Sequence, residues 1–235
     1  FRIAPSDSAI ATSLAERARQ IETRVAVLYS NEKYGRGLAS DFQNAFERAG
    51  GRIVSIDPYL EGMQDFTPYL KRLQRERVGL VMLAGVETGA SRIIVQARQM
   101  GYNARFIGGD GLEALREMGP VYDGTMVGML FHAAASPAAR DFSERFQKAY
   151  NREPDSSAAT SYDAVLLLWR AVEAGNTSRN AIRSYLAGVG ASGGSPKFEG
   201  VTGTIQFDAN GDPKDKPFVL GVAKNGELAL LSGGN

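Results

Sequence analysis

Residues 24–50 read RVAVLYSNEKYGRGLASDFQNAFERAG, and this stretch decides the fold. Val25, Ala26, Val27, Leu28 and Tyr29 form a short continuous apolar run. Beyond a polar turn, Leu38, Phe42, Ala45, Phe46 and Ala49 fall on one helical stripe, which Gly50-Gly51 stops. A short apolar run followed by a helix-period segment predicts a buried strand and the crossover helix that returns the chain to a parallel neighbour. Outward from this unit the alternation repeats. Further strands are predicted at Arg52 to Ile56, Leu80 to Ala84, Arg105 to Ile107 and Thr125 to Phe131. Between them lie the helical stripes Phe66, Leu70, Leu73 and Ala90, Ile93, Ile94, Ala97, the second ended by Gly101. The expected architecture is an α/β fold, an open parallel sheet with helices on both faces.

After His132 the pattern changes. Three helices are predicted, over about Pro137 to Tyr150, Ser157 to Ala174 and Ser178 to Ala187, with no strand between them. The Gly/Ser-rich stretch Gly188 to Ser195 follows, then short strands at Gly203 to Phe207, Phe218 to Val222 and Glu227 to Leu231, the last two joined by the hairpin dipeptide Asn225-Gly226. Residues 1–132 therefore read as a complete α/β lobe. Residues 133–213 read either as pieces of a second lobe whose sheet is missing, or as a helical appendage on one domain. The chain opens at Phe1 with neither a basic segment nor an apolar one, so a targeting peptide is expected to have been removed. Its last residues, Ser232 to Asn235, read as a polar tail.

With 27 Lys+Arg against 26 Asp+Glu among 235 residues, the net charge of +1 argues against a nucleic-acid partner. The apolar run from Met126 to Ala135, broken by Gly128 and His132, falls well short of the roughly 20 residues a membrane-spanning helix needs. Zero cysteines remove disulfides and thiolate chemistry and suit an oxidising compartment, and a single histidine removes most zinc sites. Gly188-Val-Gly-Ala-Ser-Gly193 matches a dinucleotide fingerprint in letters but follows a predicted helix, where a strand is required. Gly190-Ala-Ser-Gly-Gly194 resembles a nucleophile elbow, yet His132 precedes it, whereas that catalytic order needs a later histidine. His132 itself reads as a strand-end or core residue. Asp208-Ala-Asn-Gly-Asp212 begins like a calcium loop, but Pro213 to Pro217 supply no closing glutamate, so a tight turn is expected. No catalytic residue, metal ligand or cofactor is predicted.

What remains are the loops after the strands, where open α/β sheets bind ligands. They contain Tyr34 in Asn31 to Gly37, Val86 and Glu87 in Gly85 to Gly89, and Asp110 in Gly108 to Gly111. An acid beside an aromatic is suited to a primary ammonium, through a charge-assisted hydrogen bond and a ring-face contact. Each residue also has a plainer reading. Asp110 stands three positions before Glu113 and resembles a capping box, Tyr34 can simply cover the helix after it, and Glu87 can be a first-turn acid favoured by the helix dipole.

The order of several short motifs resembles the extracytoplasmic solute-binding proteins of the branched-chain amino acid (Leu/Ile/Val) type, which serve ABC importers. They are Phe1-Arg2 with Pro5-Ser6-Asp7, Val25 to Tyr29 leading to Tyr34-Gly35 and Gly37, Gly50-Gly51, Asp65-Phe66, Gln96-Ala97 with Gly101, Tyr162-Asp163-Ala164, and Gly203 to Asp208 with Gly211-Asp212. The resemblance implies the type I periplasmic-binding fold, in which two lobes joined by three crossovers close on a ligand. It implies that the chain is N-terminally truncated, with residues 1–132 and 214–232 forming the second lobe and 133–213 the returning part of the first.

It further implies that Tyr34 is the family's cleft aromatic, that Asp110 takes an amino-acid ammonium, that Asp7 lies near the cleft, and that Tyr162 is a first-lobe residue near it or a core residue. Val86-Glu87 stand where many amino-acid binders carry an aromatic, a departure that favours a more polar solute than leucine, isoleucine or valine. The implied partners are a small-molecule solute (an amino acid, an amide or a relative) and the importer's membrane permease and ATPase, in the periplasm or elsewhere outside the cytoplasm. Self-association of the shortened chain is also expected. The alternatives are a ligand-sensing regulatory domain of the same fold and an α/β hydrolase or transferase.

Overall fold

The computed structural model describes residues 1–216 and 218–231, with residues 116–118 described by their backbone alone. Pro217 and the expected tail, Ser232 to Asn235, lie outside the described residues. Two compact units make up the chain: one runs from Asp7 to Met129 and resumes at Leu220, and the other joins Phe1–Ser6 to Leu130–Val219.

The first unit is built on a seven-stranded sheet. Five parallel strands, β1 (Arg24–Ser30), β2 (Arg52–Tyr59), β3 (Leu80–Ala84), β4 (Arg105–Gly108) and β5 (Met126–Met129), are joined by the antiparallel pair β8 (Val219–Lys224) and β9 (Glu227–Leu230). The order is β2-β1-β3-β4-β5-β8-β9. All five residues of β3 are buried, as a strand covered on both faces must be. The predicted strand Arg52 to Ile56 differs. β2 continues to Tyr59 and is half-exposed, because it is the edge strand, where Pro58 removes no needed ladder donor. The predicted Thr125 to Phe131 strand shortens to Met126–Met129.

Helices α2 (Lys33–Arg48), α3 (Thr67–Arg75) and α4 (Glu87–Gln99) follow the first three strands and bury the predicted stripes, with Leu38, Phe42 and Phe46 fully enclosed. A further helix, α1 (Asp7–Ile21), packs on α2. Apolar periodicity passed it over because its buried face is mostly Ala11, Ala15 and Ala18, which bury little side chain. Asn225 and Gly226 both take positive φ, 54° and 83°, as the two-residue turn between β8 and β9 requires.

In the second unit, α5 (Pro137–Tyr150), α6 (Ser156–Glu173) and α7 (Arg179–Ala187) begin at side-chain caps from Ser136, Asp155 and Ser178. A short hairpin of β6 (Phe198–Gly200), which the sequence reading did not identify, and β7 (Gly203–Ile205) packs with α6 and α7 around Leu167, Leu186, Phe198 and Ile205, while α5 packs through Ala139 and Phe142 against Ala159 and Val201. Phe1–Ser6 group here rather than with the residues that follow them, since the Arg2 amide donates to the Gly211 carbonyl at 2.9 Å and the Phe1 ring lies 5.0 Å from Phe207. The 208–212 segment is the expected tight turn, with Asp208 accepting from the amides of Asn210 and Asp212. Gly188 to Gly193 follow α7 and turn back on themselves, with the Gly190 amide on the Ser195 carbonyl.

Asp163 organises this unit. Its carboxylate is fully buried and accepts the Val201 and Thr202 amides at 2.8 and 2.9 Å and also the Thr202 hydroxyl. Lys216 donates to that same hydroxyl oxygen at 2.6 Å. Burial pushes the Lys216 ammonium down to about 8, while the Asp163 and Glu199 carboxylates act in the opposite direction. An unfolded lysine titrates near ~10.4, so between these values the unfolded chain holds the extra proton and stability rises with pH. Urea unfolding near pH 7.5 and near pH 9.5 should therefore show greater stability at the higher pH, an increment that Lys216→Met should remove. Equal slopes in the two proteins would mean that Lys216 loses no protonation preference on folding.

Candidate functional site

Tyr34 and Asp110, 76 positions apart in the chain, meet at the carboxyl ends of β1 and β4. Tyr34 is in the first turn of α2, and its hydroxyl donates to Asp110 Oδ1 at 2.9 Å. Asp110 is the first residue of a 3-10 helix, Asp110–Met118, anchored by the fully buried Leu112 and Leu115. The capping-box reading of Asp110 is corrected: the cap position belongs to Gly109, and Asp110 lies inside the helix, turned to the tyrosine. The loop needs its glycines to allow this approach. A Cβ on Gly109 would come within 2.9 Å of the Tyr34 hydroxyl, and one on Gly111 within 2.5 Å of the Gly85 carbonyl.

Burial raises the Tyr34 pKa above the ordinary phenol value, and the charge and hydrogen bond of Asp110 add to it, as does the charge of Asp7; a backbone hydrogen bond at Gly111 opposes them. The phenol stays protonated and serves as donor. A carboxylate offers about four lone-pair sites, and Tyr34 takes one of Asp110's. Asp110 can therefore accept a further donor beside the tyrosine.

Asp7 is the exposed first residue of α1, near enough for its charge to act on Tyr34. Val86 is the cap residue of α4, 47% exposed, and Glu87 is the first residue of that helix, accepting a hydrogen bond from the Thr88 hydroxyl at 3.3 Å. Glu87 thus occupies the first-turn position that the helix dipole favours. Tyr162 belongs to the other compact unit. It lies on α6 with its ring 4.7 Å from Phe142, and its hydroxyl accepts from Arg145 at 3.3 Å. His132 follows β5 and caps a short 3-10 turn, its Nδ1 accepting the Ala134 amide.

The sequence reading placed Phe66 only on a core stripe and did not single out Tyr59 or Arg92, and all three line one cavity with Tyr34 and Val86. Tyr59 ends β2, and burial pushes its phenol up to about 12 against a hydrogen bond with Ser30. The Gly85 and Gly89 pair that flanks Val86 was the available signal, since two glycines at a helix start mark a close approach. Among the described residues, no group of three or more His, Asp or Glu is placed to hold a metal ion, and no helix is long and apolar enough to cross a membrane.

The family described as periplasmic binding protein matches residues 1–227. The Leu/Ile/Val-binding protein homolog 2 of Brucella abortus (strain 2308) is 28% identical over 208 residues, 87% of this chain and 54% of that protein. The crystal structure of a leucine-binding protein from Thermotoga maritima MSB8 is 28% identical and superposes with a TM-score of 0.82, covering 96% of this chain and 65% of that one. An ABC transporter substrate-binding protein from Desulfitobacterium hafniense in complex with Leu is 28% identical, with a TM-score of 0.78, covering 97% of this chain and 66% of that one. The chain spans about half the length of the curated relatives it matches.

Replacing Tyr34 by Phe removes the donor to Asp110 and keeps the ring. Unfolding in urea should show a loss of about 0.5–1.5 kcal/mol, the usual worth of one hydrogen bond. Unchanged stability would mean that solvent replaces the tyrosine at Asp110 without cost.

Proposed function

Because this chain belongs to the periplasmic binding protein family and has its type I fold, we propose that it is the solute-holding component of an ABC importer. Its solute is an amino acid or a similarly small polar molecule with a primary ammonium. The single observation that carries this reading is the Tyr34 hydroxyl seated 2.9 Å from Asp110, a carboxylate beside an aromatic ring at the ligand-binding end of an open sheet.

Asp110 receives the ammonium in a charge-assisted hydrogen bond, and Tyr34 both orients that carboxylate and forms a wall of the site. Asp7 adds negative potential close by, favouring a cation over a neutral solute. Val86 and Glu87 border the same loops and set which side chain is accepted, and Tyr162, on α6, is the candidate contact of the Leu130–Val219 unit taken by itself. The unit built on the seven-stranded sheet is one ligand-holding lobe, and the helical unit is the returning part of the other. The work is capture and delivery without chemical turnover, outside the cytoplasm, to a membrane permease driven by an ATPase. The Leu bound to the Desulfitobacterium relative and the name of the Brucella relative support amino acids as the class to test first.

Titration calorimetry against a panel of amino acids tests this directly. Asp110→Ala should weaken an ammonium-bearing solute by about 2–5 kcal/mol, the cost of truncating one partner of a buried charge pair, and should weaken an uncharged solute less. Equal affinity of the two proteins for every amino acid that binds would remove Asp110 from the site.

Self-association of this chain is a second expectation. Val165, Leu168, Trp169 and Val172 lie along one face of α6, and Trp169 is 60% exposed. An apolar helix face of this size favours burial against another copy. Light scattering should detect concentration-dependent association that Trp169→Arg reduces. A monodisperse monomer at high concentration would exclude it.

A further inference from the structure

At the carboxyl ends of β1, β2 and β3, the Asp7–Met129 unit forms a partly open cavity of about 220 Å³. β1 pairs with β2 on one side and β3 on the other, so this is the point where the strand order reverses and a crevice opens outside the strand ends. Tyr59 and Phe66 line the cavity edge to face, with ring centroids 5.3 Å apart, and are 5% and 1% exposed. Tyr34, Met63, Val86 and Arg92 also line it. Gly89 lets the Tyr59 ring lie against the start of α4, where a Cβ would approach the phenol oxygen to 2.7 Å.

Tyr34 is common to this cavity and to the Asp110 contact. A solute held at Asp110 by its ammonium therefore has the cavity within reach of its side chain. We propose that the cavity is a side-chain subsite for an aryl ring, which makes the preferred solute an amino acid with an aromatic side chain. The ring assignment rests on the cavity alone, and the amino-acid part rests on the function proposed above.

Volume and lining both favour a ring. A dry apolar cavity of ~150 Å³ holds benzene, so a cavity of this size has room for a ring with a substituent. A three- or four-carbon aliphatic side chain would leave much of the wall without contact and forfeit its dispersion energy. The edge-to-face pair of Tyr59 and Phe66 offers a third ring the offset or T-shaped packing that aromatic groups prefer. Arg92, half-buried with its guanidinium toward the Met63 carbonyl at 3.5 Å, gives the ring or a polar substituent on it a cationic neighbour.

The test uses the 235-residue chain with methyl-labelled Val and Met and two probes, p-cresol and L-phenylalanine, observed by NMR. p-Cresol carries the ring without the ammonium, so it reports on the cavity whatever Asp110 does. Ring-to-methyl contacts to Val86 and Met63 are expected, with phenylalanine binding about tenfold or more tighter than alanine. Val86→Phe, at an exposed position that leaves the core intact, should fill the mouth and abolish both the p-cresol contacts and the preference for phenylalanine. Absence of p-cresol contacts in the unmutated chain would overturn the subsite, as would equal affinity for phenylalanine and alanine. Persistent p-cresol contacts with phenylalanine binding indifferent to Asp110→Asn would leave the cavity standing and reject the ammonium assignment.

Discussion

The parallel pairing of β1 between β2 and β3 is the constraint on which the site depends. A strand paired on both edges and covered on both faces must satisfy all its backbone groups within the sheet, so its register is strongly specified. β1 aligns Leu28 with Asp57 on one side and with Leu83 on the other. That alignment sets Ser30 beside Tyr59 and Tyr29 beside Ala84, so the three strands end within a residue of one another, and what lies beyond is loop or helix start. The reversal of strand order at β1 keeps the helices on either side from closing over that end, which leaves a crevice there. Candidate ligand groups collect at this end because this geometry leaves room for them.

Within that crevice the Tyr34 and Asp110 pair is held by features with separate causes. Gly35 and Leu38 are buried, and Leu112 and Leu115 are fully enclosed, so both elements are fixed by packing behind the polar groups they present. The Gly109 and Gly111 backbone then admits the phenol at a distance that side chains would forbid. Burial makes a phenolate costly, so Tyr34 remains a donor and Asp110 the acceptor. A positioned donor and acceptor of fixed sense is what a binding site needs. No nucleophile and base are required for that task.

The helical unit solves a different problem with the same physics. Its hairpin of β6 and β7 is only three residues on each strand, too short to be stable alone. Asp163 compensates from inside α6 by accepting two backbone amides and a hydroxyl from the turn between those strands. A carboxylate so buried is tolerated because nearly all its acceptor sites are used, and Lys216 completes the arrangement through Thr202.

The sequence by itself determined the elements whose cause is local. Val25 to Tyr29 and Leu80 to Ala84 are continuous apolar runs because both their faces are buried, and the Asn225-Gly226 turn carries its conformation in its own two residues. Tyr34 and Asp110 were legible only as candidates, because both stand in loops after strands, where open sheets bind ligands, while local sequence offered each a plainer use as well. Their contact was not legible, since it spans 76 positions and depends on strand order, which no local period encodes. The same holds for the cavity lined by Tyr59, Phe66 and Arg92, which come from the end of β2, the start of α3 and the second turn of α4. α1 was missed because alanine marks a face weakly, and β6 because three residues carry no period at all. Local periodicity reports which face of an element is buried; only tertiary pairing decides what that face meets.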